Sequence, residues 1–318
     1  MSARNKTVGV AMGGLSSERE VSLRSGRAVV DALRQAGWQA LPLEVDRETA
    51  EEVARLIDAA SADVVFVAMH GGFGEDGRLQ KVLTDLGVPF TGPAEKASRL
   101  AMDKAASRAL FEKEGLCVPA TRVIRRGRRM MSLLHDLRYP VVVKPACQGS
   151  SIGVTRVTAG GELSAAVMEA QRHDDIILVE EFIEGQEVTV SVLDGAALPV
   201  VAVVPPRGFF DFRAKYEKGL TQYLVPAPLD AAVAARAQRD AVRAYDALGC
   251  RHLARVDMII DVAGRPVILE VNTVPGFTET SLFPKAAQAA GMAFPVLCDT
   301  IVRMALNAGA GTLATPVK

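Results

Sequence analysis

The chain has 318 residues, too many for one ordinary hydrophobic core, so two or three domains of roughly 100–150 residues each are expected. Apolar residues make up 49% of it, and 37 basic against 37 acidic side chains leave a formal net charge of zero, so no long-range field draws in nucleic acid or an anionic membrane. Cys117, Cys147, Cys250 and Cys298 form no C-x-x-C pair, which points to reduced thiols rather than a zinc site or a disulfide scaffold. The apolar run before Gly13 is too short for a secretory signal, and no segment reaches the roughly 20 apolar residues of a membrane span. A cytoplasmic protein with no nucleic-acid or membrane partner is the expectation.

In chain order, Thr7 to Met12 reads as a buried strand ending at Gly13-Gly14. A helix follows, with Ser17 and Glu20 at capping-box spacing and Gly37 at its stop. Asp63 to Met69 is a second apolar run, and the polar loop from His70 to Gly77 comes directly after it. Val88 to Thr91 is predicted as a short third strand. Alternating strand and helix implies a parallel sheet, whose ligands bind beyond the carboxyl ends of the strands. From Met102 the pattern changes. A helix from Asp103 to Glu114 precedes strands at Tyr139 to Lys144, Val154 to Val157 and Ile176 to Phe182, which predicts a small antiparallel sheet. Strands at 187–193 and 198–204, a polar stretch at 207–224, a helix at 230–248, a hairpin at 255–272 and a helix near 294–307 complete the chain. The expected domains are 1–102, 103–187 and 188–318.

The hairpin carries the sharpest chemical signal. With Ala263-Gly264 as a two-residue turn, Asp257 faces Glu270 and Arg255 faces Asn272, all on one side of the pair. Val256, Met258, Leu269 and Val271 then form the core side. Directly opposed carboxylates repel unless a proton or a cation lies between them, and Asn272 adds a third oxygen suited to a hard divalent ion. A salt-bridged ladder, with Arg255 compensating both acids, is the alternative. The loop Gly149-Ser150-Ser151-Ile152-Gly153 lies between two strands and can wrap anionic oxygens with backbone N–H groups, although an ordinary hairpin loop has the same composition. Lys144 ends an apolar run and needs an anionic partner. Glu180, Glu181, Phe182 and Ile183 end another strand, with Glu187 beyond, where acids can hold a nucleotide or simply form a solvated edge. Neither a Walker A motif nor a full G-x-G-x-x-G fingerprint is present, which demotes P-loop enzymes and dehydrogenases.

Taken together, several segments resemble the D-alanine–D-alanine ligases of the ATP-grasp superfamily. They are Glu18 through Gly26, His70 through Gly77, Met102-Asp103-Lys104, Lys144-Pro145 with Gly149 through Val154, Lys215-Tyr216, Thr221-Gln222-Tyr223, Arg255-Val256-Asp257, Glu270-Val271-Asn272-Thr273, Pro275 through Thr278, and Ser281-Leu282. Their order spans nearly the whole chain. The resemblance implies an α/β chain (α+β overall) with an ATP-grasp fold and an N-terminal Rossmann-like domain, and it implies a homodimer. ATP is the implied co-substrate and two Mg²⁺ (or Mn²⁺) the implied metal, held by Asp257, Glu270 and Asn272. Lys104, Lys144 and Lys215 would neutralise phosphates. Ser150 and Ser151 belong to the loop over them, and Phe182, Ile183 and Phe209 would flank adenine near Glu180, Glu181 and Glu187. Glu18 would hold the first D-alanine's ammonium, with Ser150 and Tyr216 as its partners and His70 nearby. Arg255 and the N–H of Gly276 would stabilise the oxyanion, and Lys215, Ser281 and Leu282 would take the second carboxylate. Cys147 and Gln148 stand where relatives often have Arg and Glu, and Glu181 stands where they often have Lys. A ligase making a depsipeptide with D-lactate or joining D-serine, and a nucleotide-binding regulator without turnover, are the competing readings. Tyr216 favours D-alanine over the first, and the full charged set argues against the second.

Overall fold

The computed structural model describes residues 5–127, 136–149, 151–204 and 221–312. Ser150, Phe209, Lys215 and Tyr216 lie outside them.

Strand β1 (Thr7–Gly13) is buried along its whole length, as a strand covered on both faces must be. It runs parallel to β2 (Gln39–Val45) on one side and β3 (Val64–Val67) on the other. The predicted strand at Val88 to Thr91 reduces to a single bridge from Phe90 to Val65. Helix α1 (Arg19–Gln35) follows β1, and α2 (Ala50–Ala60) links β2 to β3. The expected capping box does not form. Glu18 occupies the N-cap without a side-chain cap bond, and Ser16 instead accepts the Glu18 N–H at 3.2 Å through its hydroxyl. Ser22 then ties the helix to the sheet, accepting the Gly13 N–H at 2.9 Å and donating to the Ala68 carbonyl at 2.8 Å. These bonds hold the first turn of α1, and with it Glu18, at the carboxyl edge of the sheet.

Two short helices, α3 (Arg78–Asp85) and α4 (Glu95–Met102), lead to α5 (Lys104–Lys113), which Asp103 caps by accepting the N–H groups of Ala105 and Ala106. A four-stranded antiparallel sheet follows in the order β4 (Thr121–Arg125), β7 (Ile176–Glu181), β5 (Val141–Pro145), β6 (Thr155–Val157), with α6 (Leu163–Ala170) against it. The third sheet takes the order β11 (Gln222–Leu224), β10 (Val201–Val204), β8 (Gly185–Leu193), β12 (Leu253–Asp261), β13 (Pro266–Asn272), with β9 (Ala196–Ala197) beside β8. Helix α7 (Ala231–Leu248) covers one face, burying Ala237, Ala241 and Ala244 completely.

Helices α8 (Leu282–Ala289) and α9 (Phe294–Thr312) return to the first sheet. Phe66, Phe277, Phe283, Leu297 and Ile301 meet in one core, with the Phe277 ring 5.4 Å from Phe66 and 5.6 Å from Phe283. Burying a ring of this size contributes about 2–3 kcal/mol. Phe277 thereby anchors the loop that presents Gly276. Among the described residues no single helix is long and apolar enough to cross a membrane, and the four cysteines are unpaired.

Candidate active site

The hairpin of β12 and β13 places Asp257 opposite Glu270 and Arg255 opposite Asn272, as its alternation predicts, but by a different route. The connection is one residue longer than a two-residue turn. Asp261 donates its N–H to the Arg265 carbonyl, and Gly264 adopts a left-handed φ of 74° that glycine tolerates without strain. From there Met258 pairs with Ile268. The register shifts just beyond, so that Asp257 pairs with Glu270 and Leu269 is the extra residue of a bulge. The longer turn and the bulge compensate each other. Leu269 therefore does not join the core face expected for it. It lies half-buried against the cleft, while Ile268 takes the core position.

The two carboxylates do not face each other bare. Arg255 grips Asp257 with Nε to Oδ1 at 2.8 Å and Nη2 to Oδ2 at 2.6 Å, and Thr189 donates to Oδ1 at 2.6 Å. Burial opposes the charge on Arg255, but Asp257 outweighs it and holds the guanidinium pKa above its ordinary value. Glu270 pairs with a different cation, Lys104, whose Nζ lies 3.1 Å from Oε2 and also donates to the Gln148 carbonyl at 2.8 Å. Compensation is thus shared between two strands and a helix, and Arg255 alone does not supply it. The Asn272 amide oxygen accepts the Val274 N–H at 3.0 Å. Among the described residues no three His, Cys, Asp or Glu side chains converge as metal ligands. The donor set here is two carboxylates and an amide on one sheet face, hard oxygens with lone pairs to spare, which fits Mg²⁺ or Mn²⁺.

Lys144 has the anionic partner its apolar surroundings require. Its Nζ lies 3.1 Å from Glu180 Oε2, and burial pulls its pKa down to about 8 against the opposing pull of Glu180. Glu180 is 3% exposed and also contacts Arg108 at 2.6 Å, so its carboxylate is committed to two cations. Glu181, Phe182, Ile183 and Glu187 line the same cleft, as does Ser151. Arg156, which the sequence did not single out, lies 4.1 Å over the Phe182 ring.

At the other end, Glu18 approaches two loops. A Cβ built on Gly71 would stand 2.7 Å from the Glu18 carboxylate, and one on Gly149 would stand 3.2 Å from it. Glycines at these positions let the His70–Gly77 loop and the glycine-serine loop close on that acid. His70 is buried with both ring nitrogens engaged, Nδ1 at 2.9 Å from the Val274 carbonyl and Nε2 at 2.9 Å from the Ser25 hydroxyl. Ser25 also accepts the Phe277 N–H at 3.2 Å, so α1 and His70 together hold the 274–277 segment and with it Gly276. Ser281 precedes α8, its hydroxyl accepting the Thr278 N–H at 3.1 Å, Leu282 opens the helix, and both line the cleft, a placement suited to a carboxylate. One acid at this end escaped the sequence reading. Glu75 is largely but not fully buried, and desolvation together with the charge of Glu18 pushes its pKa up while His70 opposes that shift. Its signal was its place in the loop after His70, but its approach to another acid depends on tertiary structure.

A parallel-sheet domain beside two antiparallel sheets, with ion-paired lysines at one end of a single cleft and clustered acids at the other, is the architecture of an ATP-grasp ligase. Two family models match the chain, "D-ala D-ala ligase N-terminus" over residues 44–93 and "D-ala D-ala ligase C-terminus" over residues 110–303. The D-alanine–D-alanine ligase of Syntrophotalea carbinolica is 46% identical over 299 residues, covering 94% of this chain and 96% of that one. That of Anaeromyxobacter dehalogenans is 45% identical and covers 93% and 96%. Among solved structures, the D-alanine–D-alanine ligase from Bacillus anthracis complexed with ATP superposes with a TM-score of 0.86 at 31% identity, covering 96% of this chain and 99% of that one. The VanG D-Ala:D-Ser ligase from Enterococcus faecalis gives a TM-score of 0.81 at 31% identity, covering 94% and 99%. The chain belongs to the D-alanine–D-alanine ligase family.

Proposed function

We propose that this protein joins two molecules of D-alanine into D-alanyl-D-alanine at the expense of ATP, releasing ADP and phosphate, and so supplies a precursor for peptidoglycan. The observation that carries the reading is the single cleft lined by Lys104 and Lys144, paired with Glu270 and Glu180, and by Glu18, Glu75 and the first residues of α8. A carboxylate resists attack because its oxygen is a poor leaving group. Transfer of the γ-phosphoryl group to the first D-alanine gives an acyl phosphate and ADP. The amine of the second D-alanine then attacks the carbonyl carbon, the C–O bond to phosphate breaks, and the amine loses a proton.

The residues divide accordingly. Glu18, with Glu75 and His70 behind it, holds the first ammonium. Lys104 and Lys144 meet the phosphates, joined by Lys215, and Ser150 and Ser151 cover them. Glu180, Glu181, Phe182, Ile183, Glu187 and Phe209 surround the nucleotide. Asp257, Glu270 and Asn272 would hold Mg²⁺, which when bound neutralises phosphate oxygens. Arg255 and the Gly276 N–H face the developing oxyanion. Ser281, Leu282 and Lys215 take the second carboxylate, and Tyr216 and Ser150 close over Glu18. Domains at 1–102, 103–187 and 188–318, a homodimer and a cytoplasmic location complete the reading.

The test is ADP and phosphate release with D-alanine, L-alanine, D-serine and D-lactate as acceptors. D-alanine should stimulate release most and give the dipeptide. Formation of AMP and pyrophosphate would mean adenylation and sink the mechanism. A preference for D-serine would move the protein toward the D-Ala:D-Ser relative.

A further inference from the structure

Arg108, on α5, is 3% exposed, and its guanidinium reaches three separate elements. Nη1 donates to the Thr121 hydroxyl on β4 at 2.5 Å and lies 2.6 Å from Glu180 Oε1 on β7. Nη2 donates to the Leu269 carbonyl on β13 at 3.4 Å. That carbonyl belongs to the bulge residue beside Glu270. On the same outer edge of the strand the Ile268 N–H donates to the Cys117 carbonyl at 2.8 Å. Among the described residues strand β13 is the last strand of its sheet. Glu180, for its part, holds Lys144.

We propose that Arg108 is a positioning residue that links the two halves of the nucleotide cleft, setting Lys144 through Glu180 on one side and the Leu269 bulge, hence Glu270, on the other. This rests on the function proposed above. The guanidinium's flat fork is what allows one side chain to serve an acid and a carbonyl on different sheets at once. A lysine at this position keeps the charge for Glu180 but offers a single ammonium, which cannot span both. Arg108 touches neither reacting atoms nor, by this reading, the nucleotide. Its effect is on the placement of the groups that do.

The experiment compares the wild type with Arg108→Lys and Arg108→Met in three measurements: calorimetric binding of ATP with Mg²⁺, D-alanine-dependent ADP release across ATP and Mg²⁺ concentrations, and thermal melting. Arg108→Lys should melt close to the wild type. It should bind ATP about 10- to 100-fold more weakly, the usual loss when a supporting partner of a metal or substrate ligand is removed, and should need more Mg²⁺. Its KM for ATP should rise by a similar factor, while kcat at saturation changes far less. Arg108→Met leaves Glu180 facing one cation and tests the same point if it folds; Arg108→Lys decides it if Arg108→Met does not. ATP binding and Mg²⁺ dependence like the wild type's in Arg108→Lys, or a lowered melting temperature with both unchanged, overturn the proposal and leave Arg108 a core ion-pair partner. If the wild type releases no ADP with D-alanine, the functional reading fails, and calorimetry with ATP still decides the role of Arg108.

Discussion

The two ends of the cleft handle charge in opposite ways. At the nucleotide end three acids each meet a cation of the protein: Glu180 meets Lys144 and Arg108, Glu270 meets Lys104, and Asp257 meets Arg255. At the amino-acid end Glu18 and Glu75 gather beside one histidine, and their mutual charge helps raise the proton affinity of Glu75. The first arrangement keeps lysines close to a core without leaving them uncompensated, ready to turn toward phosphate oxygens. The second concentrates negative charge where a free ammonium can bind. The cleft is thus sorted by charge along its length, in the sense the proposed binding of nucleotide and amino acid requires.

The largest expected effect breaks the nucleotide end. Glu270→Gln should lower turnover by roughly a thousandfold or more, because the carboxylate that pairs with Lys104 and is proposed to hold the metal is lost. Bare opposed carboxylates would make this substitution stabilising in the absence of ligand, since it removes a repulsion. The observed pairing reverses that sign. Lys104, 6% exposed, loses its ion pair and, among the described residues, keeps the Gln148 carbonyl, so the ligand-free protein should be destabilised by about 1 kcal/mol. A melting temperature above the wild type's would show that repulsion dominates after all. Gly71→Ala strikes the other end. Gly71 has φ of 70°, and the new Cβ would stand 2.7 Å from the Glu18 carboxylate, so Glu18 must move. The KM for the first D-alanine should rise about 10- to 100-fold, with ATP binding by calorimetry nearly unchanged. Equal losses in both would erase the distinction between the two ends.

How much of this could be read from the chain depends on how far apart the partners are. The opposition of Asp257 and Glu270 was legible because strand alternation has an exact period and the two residues flank one hairpin. The turn and the bulge were not, and they cancelled only because Leu269 could swing to the cleft side. Strand β2 and helix α2 went unread: β2 is an edge strand, half-exposed and carrying Pro42, so it lacks a continuous apolar run. The lysine at the end of Val141-Val142-Val143 announced its need for an acid, but nothing local identified Glu180. Arg108 and Ser25 were illegible in the same sense. Arg108 meets Leu269 across 161 residues and Ser25 meets Phe277 across 252, and their importance arises from three-way contacts that no local pattern encodes.

The smallest effect sharpens the comparison, since it separates the charge on Lys144 from its bulk. Lys144 has a pKa near 8 in the ligand-free protein, lowered mainly by burial, with Glu180 and Glu270 raising it and Arg108 and Lys104 lowering it further. Its charge is therefore present at pH 7 and mostly absent at pH 9, while an unfolded lysine stays charged to about pH 10.4. Two consequences carry opposite signs. ATP affinity, which uses the charge, should fall by up to about tenfold between pH 7 and pH 9, since one unit above a pKa leaves roughly a tenth of the group protonated. Folding stability should move the other way. The folded pKa is depressed, so this group favours the folded state fully above the unfolded pKa and loses that contribution as pH falls toward the folded value of about 8. Lys144→Arg keeps its proton throughout this range, so its ATP affinity, lower overall because the guanidinium is bulkier, should be flat from pH 7 to pH 9. Calorimetry of ATP binding and thermal melts of both proteins across this range check the pair of signs. Parallel profiles for the two proteins would place the titrating group elsewhere in the cleft, and would leave Lys144 charged at every pH at which the enzyme works.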